Sequence, residues 1–143
     1  MREGTGRGAS VVLRALAALA TLYTLGVHVY LAAAPSSPDP EHRGLFWLAA
    51  AGFLAGLIGL FVPMAWGRMA ARIVLVGTAA GAIIGYLVLY GTTFTPLALS
   101  SKIDEAVLIV LLVIDGLIAI PDLKASARRV GDRSDQERPA TAA

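Results

Sequence analysis

His28, Glu41, His42, Asp104 and Glu105 are the side chains of this chain best suited to holding a metal ion. Imidazole nitrogens and carboxylate oxygens ligate divalent ions such as zinc or copper, and a buried histidine can serve as a haem ligand. The spacing argues against a standard site. His28 and His42 are separated by a proline-rich bend, and no HxxxH or HExxH arrangement occurs. A structural reading competes with the metal one. In it, His28 hydrogen-bonds a neighbouring helix, Glu41 and His42 are solvated, and Asp104 and Glu105 face the positive end of a helix dipole.

Asp115 could carry a proton or a cation, because a carboxylate placed deep in an apolar segment is costly and marks a pathway or a partner. No second acid lies at its depth to take a proton onward. Arg14 and Arg72 stand at helix ends from which they can extend toward it. Thr21, Thr24 and His28 share one face of the first apolar run, and Tyr86 and Tyr90 form a similar pair on the third. His28 and Tyr86 fall at about the same depth, some 10 Å from one end of their helices, so they can meet.

Other chemistry is missing. There is no GxSxG, no phosphate-binding loop and no dinucleotide fingerprint, and the absence of cysteine excludes disulfides, thiolate metal sites and thiol nucleophiles. The expectation is a protein without enzymatic activity and without a cofactor. The basic residues form no patch interleaved with aromatics, so nucleic acid is not expected as a partner.

The segments that must position these residues are four apolar runs, at about residues 13–34, 45–66, 71–91 and 102–120. Each approaches the 20 or so helical residues that cross a hydrocarbon core of about 30 Å. The second and third carry no polar stripe, as a helix in a small soluble bundle would need. With 57% hydrophobic residues, the composition agrees with lipid as the solvent. The fold class is therefore all-α, a bundle of four transmembrane helices within one membrane domain at 11–122. The fourth run is the least apolar, because it contains Asp104, Glu105 and Asp115.

The first run has basic residues ahead of it, but it is longer than the roughly 7–15 apolar residues of a cleaved signal, which favours a retained helix. Residues 1–10 and 123–143 read as basic, largely disordered tails. The last helix is expected to stop near Pro121, and Ser101 with Asp104 reads as the capping box that opens it. Arg2, Arg7, Arg14, Arg68, Arg72 and the basic residues after 123 fall on one side of the four spans. Only Arg43 and Lys102 fall on the other, so both termini are expected in the cytoplasm and the protein in the plasma membrane.

Helices in lipid associate through close packing and hydrogen bonds, so small residues locate contacts. Gly52 and Gly56 on the second run, and Gly77, Gly81 and Gly85 on the third, read as two seams of internal packing; dimerisation is the alternative use of the same pattern.

The order His28, Glu41, His42, Gly44, Phe46, Gly85, Tyr86 and Glu105 on four apolar spans resembles small uncharacterised four-helix integral membrane proteins of high-GC actinobacteria. The preference for Arg over Lys and the richness in Ala and Gly fit such a source. The resemblance implies the fold and brings no activity or cofactor. The expected function is that of an accessory or structural component of a larger membrane assembly, with the bilayer and other membrane subunits as partners. An outward-facing metal, haem or small-ion site, and a small transporter using Asp115, are the competing expectations.

Overall fold

The computed structural model describes the backbone of residues 3–34 and 41–136, with side chains described over 8–34 and 41–119. Among these residues there are four helices and no strand: α1 (Glu3–Ala33), α2 (Arg43–Leu60), α3 (Ala65–Tyr90) and α4 (Pro96–Gln136). Each helix packs on the next and α4 returns to α1, so α1 and α3 occupy opposite corners of a ring, as do α2 and α4. Ala17, Phe53, Leu60, Ala71, Leu75, Ala79, Leu108 and Leu112 form the core.

The surface is the inverse of a soluble protein's. Leu48, Ile58, Ile73, Val88 and Val110 point outward, while Thr21, Thr24, Glu105 and Asp115 are buried. In water this arrangement would expose the apolar groups and strand the polar ones; in hydrocarbon both placements are favourable. Three segments, Gly8–Ala33, Arg43–Leu60 and Ala65–Tyr90, are long and apolar enough to cross a membrane.

The connections follow from local chemistry. Gly91 ends α3 at φ +62° and donates its N–H to the carbonyl of Leu87, a conformation that only glycine adopts without strain. Arg43 Nη2 donates to the carbonyl of Ala34 just past α1 (3.2 Å), and Arg68 Nη1 donates to Val62 O (3.2 Å) and Pro63 O (2.6 Å) in the α2–α3 turn. Both arginines thereby serve carbonyls that have no helical partner.

Three boundaries differ from expectation. α4 opens at Pro96, not at Ser101, with Thr95 Oγ1 accepting the Ala98 N–H at 3.2 Å. A threonine followed by proline is the cap-and-first-residue pair that a helix start favours. α4 also continues through Pro121 to Gln136, since the proline removes one backbone hydrogen bond and strong helix formers such as Leu123, Lys124 and Ala125 follow it. At about 60 Å it exceeds the hydrocarbon thickness twofold. α1 likewise begins at Glu3 rather than after residue 10, because no proline interrupts it. The proline-rich bend at 35–40 and the end of the chain at 137–143 lie outside the described residues.

The two glycine rows behave differently. A methyl group placed on Gly59 would stand 2.7 Å from Ala71 Cβ, one on Gly52 would stand 2.5 Å from Thr78 Oγ1, and Gly56 is as tight against Leu75. The expected packing seam at Gly77, Gly81 and Gly85 is not present: nothing lies within 4 Å of where their Cβ atoms would be. That row faces away from the closely packed side of α3.

Gly59→Ala should therefore lower stability by about 1–3 kcal/mol through overpacking, whereas Gly81→Ala should leave it unchanged or slightly raised. Thermal denaturation of both variants in the same detergent is the check, and equal losses would contradict the two packing environments.

Candidate functional site

Two polar clusters sit at opposite ends of the bundle. The first centres on Asp115 of α4, which is 1% exposed. Its Oδ2 accepts from Arg72 Nε (3.0 Å) and Nη2 (2.5 Å), and its Oδ1 accepts from Ser10 Oγ (2.7 Å). Arg14 donates through Nε (3.3 Å) and Nη2 (2.7 Å) to Ser10 Oγ and lies 3.8 Å from Asp115 Oδ1. The Ser10 hydroxyl therefore uses its one donor and both acceptor positions. Three helices supply the four residues, two guanidinium groups facing one carboxylate. Both partners foreseen for Asp115, Arg14 and Arg72, reach it.

The second cluster lies toward the α3–α4 connection. Thr24 Oγ1 donates to Asp104 Oδ2 at 2.6 Å. The His28 ring hydrogen-bonds the Thr24 carbonyl through Nδ1 at 2.9 Å, which fixes the proton on that nitrogen, and Nε2 points toward Glu105 Oε1 at 3.8 Å. Glu105, 0% exposed, accepts from Lys102 Nζ (2.8 and 2.7 Å) and from Ser101 Oγ (3.1 Å). Lys102 Nζ also donates to the carbonyl of Ala82 on α3 at 3.1 Å. The rings of Phe46 and Phe53 stand against His28, with centroids 6.2 and 5.3 Å away.

Beside this cluster α2 and α3 part. They are tight where Gly59 meets Ala71 and Gly52 meets Thr78, and beyond Gly52 they diverge to leave a cleft of about 590 Å³. Gly77, Gly81 and Gly85 form one wall, Leu45, Leu48 and Ala49 the other, and His28 and Lys102 close the back. Aromatic rings gather at its mouth. Tyr86 stacks on Phe94 (5.3 Å, 17°), donates its hydroxyl to Thr93 O (2.5 Å) and packs on Tyr90 (5.0 Å). His42 meets Tyr90 edge-on at 6.2 Å. The Tyr90 hydroxyl is buried without a hydrogen-bond partner.

The residues singled out as metal ligands do not converge. Among the described residues no group of three His, Cys, Asp or Glu is placed to hold a metal ion. Asp104 and Glu105 are neighbours on a helix, so they point about 100° apart, one to Thr24 and the other to Lys102. His42 is engaged at the Tyr90 ring, and Glu41 is an exposed residue of the turn before α2. Thr24 and His28 are fully buried, while Tyr86 is half-buried at the cleft, where it and His28 line the same space.

Ser10, Ser101 and Lys102 were not legible as site residues, although a signal existed. Ser10, Arg14, Ala17, Thr21, Thr24 and His28 repeat at alternating steps of four and three along α1, one continuous face. Lys102 and Glu105 stand at the i,i+3 spacing of a helical ion pair.

Asp115→Asn should lower stability by about 3–5 kcal/mol, because it leaves the Arg72 guanidinium buried without its charge partner. The double variant Asp115→Asn, Arg72→Met should recover a substantial part of that loss. Detergent-solubilised melting curves compare the three proteins; additive losses would show that the pair is not coupled. Compared with protein-family models, with curated proteins and with solved structures, the chain matches none of them.

Proposed function

We propose that this chain is a multi-pass plasma-membrane protein of four spans that works by binding, as a non-enzymatic accessory component of a larger membrane assembly. The observation that carries this reading is the closure of its charged groups. Asp115 is saturated by Arg72 and Ser10, and Glu105 by Lys102 and Ser101. Ten residues of α4 separate the two acids, about 15 Å of helix. Leu108, Leu112, Phe53 and Leu75 fill that interval and are all buried. On α1 the buried polar side chain between the clusters is Thr21, and its hydroxyl donates back to the Ala17 carbonyl at 2.7 Å, which supports reading Asp115 as a structural ion-pair partner. The cleft between α2 and α3 is the feature left to recognise something.

In this reading α4 is the fourth span despite its charges. Lys102, Glu105 and Asp115 all turn inward, and its outward face carries Ile103, Val107, Val110, Val113 and Leu117. Both termini and the α2–α3 turn then lie in the cytoplasm, on the side where arginine predominates.

Two measurements test the proposal. Because the chain has no cysteine, single cysteines at Thr92→Cys and Ser134→Cys report topology cleanly. In intact cells a membrane-impermeant maleimide should label the first and spare the second; the reverse pattern would refute the orientation. Blue-native electrophoresis after mild detergent extraction should place the protein in a complex with other membrane proteins, and a lone monomer would overturn the accessory role.

A further inference from the structure

We propose that Arg14 is the headgroup site for one anionic phospholipid of the phosphatidylglycerol type, seated against α1 at the edge of the bilayer where the Asp115 cluster lies. The proposal rests on the reading of the chain as a four-span membrane protein, in which that edge is the cytoplasmic one, and it adds a ligand which that reading does not require.

Charge comes first. Arg14 and Arg72 bring two positive charges to the single carboxylate of Asp115, and the carboxylate's oxygens are already taken. Oδ2 accepts both hydrogen bonds from Arg72, and Oδ1 accepts the Ser10 hydroxyl. Arg14 stays 3.8 Å from Oδ1 and donates only to Ser10 Oγ, through Nε and Nη2. A guanidinium carries five N–H donors, so both hydrogens of Nη1 and one of Nη2 have no acceptor among the described residues. The Arg14 side chain is 30% exposed, against 7% for that of Arg72. The surplus charge and the unused donors therefore sit on the arginine that a ligand can touch.

Depth identifies the ligand as a lipid. A hydrocarbon core of about 30 Å takes roughly 20 helical residues. Counted back from Ala33, the end of α1, that length reaches Arg14; counted back from Tyr90, the end of α3, it reaches Ala71, beside Arg72; counted forward from Pro96, the start of α4, it reaches Asp115. Three helices thus agree that the cluster stands at the edge of the hydrocarbon, where lipid phosphates begin. Helical side chains lean toward the N-terminus of their helix, and the Arg14 guanidinium does so in reaching Ser10, which carries it toward the headgroups. Val11, Ala15, Leu22 and Val29 each follow a member of the buried face by one residue, about 100° round α1, and all four are exposed. An acyl chain can lie along that apolar strip with its phosphate at Arg14. A phosphate diester offers a guanidinium two acceptor oxygens, and a lipid of net negative charge cancels the surplus. Phosphatidylcholine presents the same phosphate but brings an ammonium of its own to a site that already holds two guanidinium groups.

The test is native mass spectrometry of the full chain in a neutral detergent, titrated with dioleoylphosphatidylglycerol or dioleoylphosphatidylcholine. Wild type should retain one phosphatidylglycerol, bound roughly tenfold more tightly than phosphatidylcholine. Arg14→Gln keeps an amide N–H for Ser10 and removes the charge, and it should lower the affinity for phosphatidylglycerol to that for phosphatidylcholine. Arg43→Gln removes the same charge at the other end of the bundle and should bind like wild type. Glycerophosphoglycerol, the headgroup without acyl chains, should not bind at the concentrations that saturate the lipid. The proposal is overturned by equal retention of the two lipids in wild type, by wild-type affinity in Arg14→Gln, or by an equal loss in Arg43→Gln. Binding of glycerophosphoglycerol as tight as that of the lipid overturns it too, since the site would then be one for a free phosphate. The wild-type comparison of the two lipids decides the matter even where Arg14→Gln fails to fold. None of these results bears on the maleimide or electrophoretic tests, and a reversed labelling pattern or a lone monomer there leaves the lipid titration intact.

Discussion

Asp115 and Arg72 must find each other because both are buried among apolar side chains that offer neither of them a partner. A charged side chain at the centre of a lipid-facing helix costs several kcal/mol, and the cost vanishes only when the group turns inward and is paired. That requirement fixes the rotation of α3 and α4, since one residue of helical slip turns a side chain by about 100° and would bring Asp115 to the outer surface of the bundle. It fixes α1 as well, because Ser10 and Arg14 complete the carboxylate's shell from that helix. At the other end Thr24, His28, Asp104 and Glu105 impose the same registration on α1 against α4. The antiparallel pair is pinned at both ends. Between the pins, Leu108 and Leu112 need only fill space.

The α2–α3 pair is held by a different force, and the difference produces the cleft. No charged rung joins those two helices. Their contact rests on small residues, Gly52, Gly56 and Gly59 against Thr78, Leu75 and Ala71, all toward one end. Past Gly52 the side chains grow: Phe46 on α2 and Tyr86 and Tyr90 on α3 line the cleft. With α1 and α4 locked behind them, the two helices cannot close over the gap. The glycines that remain, at 77, 81 and 85, therefore line a space instead of a contact.

This use of the same residue type for opposite ends explains what could be read from the chain and what could not. Three of the four apolar runs were legible as helices long and apolar enough to cross a membrane, because length and composition alone decide that. The meeting of His28 with Tyr86 at one space followed from counting rise per residue. The two glycine rows, by contrast, are equivalent as sequence. What stands opposite each row, Thr78, Leu75 and Ala71 for one and open space for the other, is set by the packing of the helices and not by the rows themselves. Lys102 counted in the sequence only as one of two basic residues on the arginine-poor side of the spans, yet Glu105 three positions later draws it inside. Asp104 and Glu105, adjacent on α4, point apart to Thr24 and to Lys102, a divergence that helix geometry imposes and that the pairing of the two as ligands overlooked.

The Asp115 cluster also bears on the orientation proposed for the chain. Arg14 and Arg72 belong to the arginine excess that the positive-inside rule counts, and the same two guanidinium groups enclose Asp115. Pairing does not cancel the topological signal, because the rule counts basic residues near span ends and acids contribute little to it. One acid between two arginines also leaves a surplus of positive charge on that side of the bundle. Arg14, whose side chain is 30% exposed, is the group through which that surplus meets the solvent or the headgroups. In the proposed orientation, two of the arginines counted by that rule are also the ones that hold three of the four helices together. A substitution that spares the ion pair while moving its positive surplus would disturb topology before it disturbed packing.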